Sequence, residues 1–215
     1  MCIRDSVKLV RSIEEVGKSA IECDVTNYSS VKIAAREIKK IKKPLKAFIN
    51  AAGVASMNMA VTADKSTVQK LIQTNLVGTI YCCQLFAPLM LRQNYGSFIN
   101  FSTIAVTLAL KGESIYAASK AGVEAFSRSF AREMADFNVR VNCIAPGPVI
   151  KNLRQNEDQF KKQYMNTLLK AKVNPLELCE AAQFFFNTSS VTGEVISLDS
   201  GQRITWRKRN IKVNE

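Results

Sequence analysis

Four short apolar runs, each ending in small or polar residues and separated from the next by a long helical pattern, constrain this chain more than any other feature. Leu45–Asn50, Ser97–Ser102, Val139–Ala145 and Glu194–Leu198 read as buried strands. Between them, helical spacing covers roughly Ser66 to Arg92, Ser114 to Asp136, and two segments within 153–187 that meet at Asn174-Pro175. Strands that alternate with helices predict a parallel sheet covered on both faces, a doubly wound α/β fold. Upstream, Ser19–Cys23 reads as a further strand and Ser29–Ile41 as a helix stopped by Pro44. Val7–Val16 has apolar residues at helical spacing, with Gly17 where a C-terminal cap belongs. The 215 residues suit one domain, with no repeat or linker to divide it and with a basic tail over 204–215.

Composition removes much chemistry. There is no histidine, which excludes Ser-His-Asp and Cys-His mechanisms and most catalytic zinc sites. The six cysteines (2, 23, 82, 83, 143 and 179) contain no Cys-x-x-Cys pair, so they predict buried thiols in a cytoplasmic protein and no metal site. The net charge of +12 is concentrated in Lys39–Lys46 and Arg203–Lys212. The first of these runs has no interleaved aromatics, so it reads as a solvated helix end, not a nucleic-acid surface. Leu71–Leu91 carries no charge and is long enough to span a bilayer. Gln73, Thr74, Asn75, Thr79 and Gln84 would be costly in lipid, and Pro88 would interrupt the span. The expectation is a buried helix and no membrane.

In a parallel α/β sheet ligands gather at the carboxyl ends of the strands. Those turns hold Asp24-Val25, Asn50-Ala51-Ala52-Gly53, Ser102-Thr103 and Pro146-Gly147-Pro148. Close by in sequence, Tyr116 and Lys120 stand at i and i+4 on one helix face. A phenol titrates near 10, and a neighbouring cation lowers that value. In a chain without histidine this pair is the best available proton donor and acceptor.

Taken together, Asn50-Ala51-Ala52-Gly53, Asn75, Ser102-Thr103, Tyr116/Lys120, Pro146-Gly147 and the late Thr192-Gly193 and Asp199-Ser200-Gly201 resemble the short-chain dehydrogenase/reductase family, in its 3-oxoacyl-carrier-protein-reductase-like branch, over about residues 18–203. The resemblance implies a Rossmann-like fold and NADP- or NAD-dependent interconversion of a carbonyl and a secondary alcohol. Its substrate would be a small molecule, and the basic segment Ile150–Ala171 points to a thioester-linked one. It also implies a homodimer or homotetramer. By the same resemblance Tyr116 is the general acid or base, and Lys120 lowers its pKa and bonds the nicotinamide ribose. Asn75 disturbs its helix and holds a relay water, and Thr103 orients the substrate carbonyl. Asn50, Ala51, Ala52 and Gly53 line the cofactor, Asp24 and Val25 meet the adenine, and Pro146, Gly147 and Val149 shape the nicotinamide pocket.

Three departures stand out. Thr103 occupies the place of the family's serine, Ser102 beside it should face the other way, and Lys151 replaces a threonine that bonds the nicotinamide amide. The family's opening strand and Thr-Gly-x-x-x-Gly-x-Gly turn are not in the sequence, and Met1–Ser6 matches no family segment. Such a chain is expected to lack a βαβ unit that would sit mid-sheet, whether through a cloning, assembly or gene-model scar or a natural truncation. It would bind dinucleotide weakly, fold poorly, or both. The alternative function is a non-catalytic binding or regulatory protein on the same fold.

Overall fold

The computed structural model describes residues 8–10, 20–152 and 155–205. Four strands form one parallel sheet in sequence order: β3 (Ala47–Asn50), β4 (Gly96–Phe101), β5 (Val139–Pro146) and β6 (Val195–Leu198). Ile49 pairs with Ile99, Asn100 with Cys143 and Pro146 with Leu198, so the carboxyl ends lie together. Successive residues of β4 point to opposite faces, as strand geometry requires. Phe98 enters a core with Val141, Cys82, Phe86 and Phe130, whereas Ile99 joins Ile144 and Phe185 on the far side.

The first face is covered by α1 (Tyr28–Lys40), by a long helix beginning with α2 (Lys65–Ile72) and continuing as α3 (Gly78–Leu91), and by α5 (Ser114–Met134). The other face is covered by α7 (Pro175–Asn187). Two short helices, α4 (Ala105–Leu108) and α6 (Glu157–Met165), lie in the connections after β4 and β5. Local chemistry fixes the starts: Asn27 caps α1 through Ser29 and Ser30, and Asn174 with Glu177 forms a capping box before α7, with Pro175 in its first turn.

Lys65–Leu91 is long and apolar enough to cross a membrane, yet it packs along the sheet with Leu71, Cys82, Cys83, Phe86 and Met90 buried. Its polar residues Asn75 and Thr79 find partners inside the protein. Pro88 does not interrupt it, since α3 runs through to Leu91.

The N-terminal expectation needs correction. Lys8–Val10, placed by spacing in a helix, forms a strand (β1) parallel to β2 (Ala20–Glu22). The rest of that expected helix lies outside the described residues, as does the tail from 206. The β1–β2 pair is separate from the four-stranded sheet. Among the described residues β3 is paired on one side only, and Ile49 in its middle is 47% exposed. A cavity of about 2310 Å³ runs along that edge, from Cys23 and Asp24 past Ile49 and Asn50 to Cys179 and Phe186 on α7.

Candidate active site

At the carboxyl end of β3, the Asn50 amide donates to Thr79 Oγ1 at 2.8 Å, and that hydroxyl donates to the Asn75 carbonyl at 2.7 Å. Asn75 sits in a single π-helical turn, Gln73–Val77, between α2 and α3. This is the helix disturbance expected of it, and such turns cluster at functional sites. The side chain is fully buried. Its Oδ1 accepts from Val54 N at 2.8 Å, and its Nδ2 donates to Val54 O at 2.9 Å and Ser119 Oγ at 3.0 Å. Both amide hydrogens are thus committed to fastening the loop after β3 onto α5. A relay water could use only a remaining oxygen lone pair.

On α5, Ser119 Oγ donates to the Tyr116 carbonyl, and Lys120 reaches back so that its ammonium donates to Phe101 O at 2.7 Å. Lys120 therefore meets the end of β4. A Cβ on residue 53 would stand 3.2 Å from Lys120 Nζ and 3.3 Å from Asn75 Oδ1, so the bare backbone of Gly53 makes room for both. The Thr103 side chain lies near enough to the Tyr116 phenol to act on its pKa. Ser102 turns away as expected, donating to the buried Glu124 carboxylate at 2.7 Å.

One electrostatic expectation is reversed. Burial raises the Tyr116 pKa, the nearby Thr103 side chain lowers it less, and the Glu113 charge raises it further. Burial also pushes Lys120 down to about 8. The net effect on the phenol is a rise, with the Lys120 ammonium donating to Phe101 O. The consequence for stability is testable. Because the folded Lys120 pKa lies below its ordinary 10.5, the unfolded chain binds more protons between the two values, and this residue's contribution to stability rises with pH. From pH 8 to 10.5 the parent chain should gain about 3 kcal/mol relative to Lys120→Met. Denaturant unfolding of both proteins across that range checks it, and parallel curves would contradict the buried ammonium.

The remaining cofactor candidates line the same end of the sheet. Asp24 accepts from Thr26 N and Oγ1 at 2.9 and 2.8 Å, holding the turn after β2. Val25 packs where a Cβ on Gly78 would lie 3.0 Å away, and Gln73 Nε2 bonds Thr26 O. The β2 and β3 ends thus open to one side. Asp24, Val25, Asn50, Ala51, Ala52 and Gly53 all line the large cavity. Pro146 ends β5, and Gly147 donates to Leu198 O so closely that a Cβ would lie 2.8 Å from Asp199 Cα. Val149 is half-buried just beyond, and Lys151 is ion-paired to Glu157 at 2.8 Å. Sequence reasoning missed Thr79, Ser119 and Glu113. A signal was present, since they lie four, three and three positions from Asn75, Tyr116 and Tyr116, on shared helix faces.

Residues 3–203 match the family model described as enoyl-(acyl carrier protein) reductase. A 3-oxoacyl-[acyl-carrier-protein] reductase of Bos taurus is 32% identical over 188 residues, covering 86% of this chain and 78% of that protein. Among solved structures, a short-chain type dehydrogenase/reductase from Mycobacterium ulcerans superposes with a TM-score of 0.81 at 25% identity, covering 90% of this chain and 74% of that one. The NADP-bound structure of ElxO superposes at 0.79 with 24% identity, covering 86% and 77%.

Proposed function

The chain belongs to the short-chain dehydrogenase/reductase family, and on that premise we propose that it interconverts a carbonyl compound and a secondary alcohol, with Tyr116 and Lys120 as the acid–base pair. It is an NAD(P)-dependent oxidoreductase acting on small molecules. The observation that supports the finer reading is proximity: Lys120 and Asn75 both flank the bare backbone of Gly53, and Thr103 acts on the Tyr116 phenol one turn before Lys120.

The residues fit a nicotinamide cofactor on one count that belongs to this structure, since the Gly53 backbone leaves open a place beside Lys120 that a Cβ would fill. Asn50, Ala51, Ala52, Gly53, Lys120, Pro146, Gly147 and Val149 would hold its nicotinamide half, and Asp24 and Val25 its adenine. When bound, the reduced cofactor supplies hydride. Tyr116, kept protonated by burial, gives its proton to the carbonyl oxygen as charge develops there, while Thr103 donates a hydrogen bond to the same oxygen. The Lys120 ammonium stabilises the phenolate left behind.

The raised phenol pKa sets a direction. Reduction needs the phenol and should stay flat over roughly pH 6 to 8, whereas oxidation needs the phenolate and should climb about tenfold per pH unit there. Initial rates of NADPH oxidation with acetoacetyl thioesters and small ketones, and of NADP reduction with the matching alcohols, test the function. Absence of turnover in both directions would favour the non-catalytic reading, to which the open β3 edge lends support as a surface for a partner strand. Tyr81, Leu85 and Leu89 on α3 and Phe126 on α5 are only partly covered, which supports association into a homodimer or homotetramer. The same β3 edge supports weak dinucleotide binding by the chain as it stands.

A further inference from the structure

Glu113 is the N-cap of α5, with φ −114° and ψ 8°, and Tyr116 is three residues on. Residues three apart at a helix start lie side by side, and the Glu113 charge acts on the Tyr116 phenol. The preceding loop is held inward, with Asn58 N donating to Gly112 O at 2.9 Å and Glu113 N to Leu110 O. Glu113 is half-buried, makes no capping bond, and has no hydrogen-bond or ion-pair partner among the described residues.

The charged groups on the packed elements do not neutralise it. Lys120 is turned to Phe101 O, Glu124 is bonded to Ser102 and Arg128, and Asp199 is bonded to Gly201 and Arg203. Lys111, and Lys65 and Lys70 on α2, are exposed, and Lys151 is paired with Glu157.

We propose that Glu113 is a specificity-determining carboxylate, which disfavours carbonyl substrates bearing an anionic group beside the reacting carbon and favours neutral ketones and esters. The proposal rests on the oxidoreductase reading above. Burial raises the Glu113 pKa, and its charge raises that of Tyr116, as expected of an uncompensated carboxylate close to the phenol. Like charges at such a mouth repel enough to shift relative affinity roughly tenfold. The discrimination holds where Glu113 is ionised and fades as pH falls through its raised pKa.

The test compares the parent chain with Glu113→Gln, Glu113→Asp and Tyr116→Phe. The ratio of kcat/KM for ethyl acetoacetate over acetoacetate should fall about tenfold in Glu113→Gln, through KM for the acid, and be retained in Glu113→Asp. Tyrosinate absorbance, taken as the difference from Tyr116→Phe, should show Tyr116 titrating at lower pH in Glu113→Gln. An unchanged ratio overturns the proposal. If no protein turns over any carbonyl, the oxidoreductase reading fails, and the titration decides the matter: a shift keeps Glu113 as the charge governing this crevice, and its absence overturns that too.

Discussion

Tyr116→Phe should lower carbonyl reduction by roughly 10²–10⁴-fold, the range that general acid catalysis contributes, with little change in the fold. Thr103 is the polar side chain that acts on the phenol, and phenylalanine keeps the half-buried ring at the start of α5. Removing one hydroxyl costs at most about 1 kcal/mol of stability, so the variant remains folded. Its NADPH affinity should match the parent's, because Lys120 keeps its bond to Phe101 O and Gly53 still leaves room for it. Paired measurements of kcat, NADPH fluorescence and melting temperature separate chemistry from binding and from stability. A variant that reduces ketones at the parent's rate would remove Tyr116 from the mechanism. No histidine is available to stand in for it.

The sheet was legible because its strands are short, mostly apolar and separated by helical patterns, and all four appear where the runs place them. Asn75 was legible as a helix disturbance, and the π-helical turn around it is the physical form of that disturbance. Lys8–Val10 was not, because three residues satisfy a helical and an extended pattern equally well and only pairing with β2 decides between them. The network behind the site was also hidden. Asn50 meets Thr79 across 29 positions and Asn75 meets Ser119 across 44, separations at which a sequence gives no register. The electrostatic misjudgement of Tyr116 has the same origin. Spacing puts a cation one turn away, but which carbonyl that cation reaches, and how deeply the phenol is buried, are set by tertiary packing.

The second large effect concerns the cofactor's charged centre. A pyrophosphate is best held by backbone N–H groups at a glycine turn leading into a helix, and no such turn faces the cavity among the described residues. Beside the place for it, β3 leaves one ladder edge unpaired and Ile49 half in water. The cavity there, about 2310 Å³, is flanked by α7 as well as by the sheet. A thirteen-residue helix occupies roughly 1,500 Å³ as a cylinder about 10 Å wide, which leaves space for a strand against β3. Fusing a strand, glycine-rich turn and helix of the family type ahead of the chain should therefore pair the β3 edge and cover Ile49. It should also supply two or three charge-assisted bonds to the pyrophosphate, each worth about 1.5–3 kcal/mol. NADPH should then bind at least about a hundredfold more tightly than to the chain as it stands. Fluorescence titration of both proteins measures this, and amide exchange along Ala47–Asn50 reports whether the edge has been covered. Tight, saturable NADPH binding by the unfused chain, equal to that of the fusion, would show that the Asp24, Asn50–Gly53 and Lys120 surface holds the dinucleotide without a glycine turn.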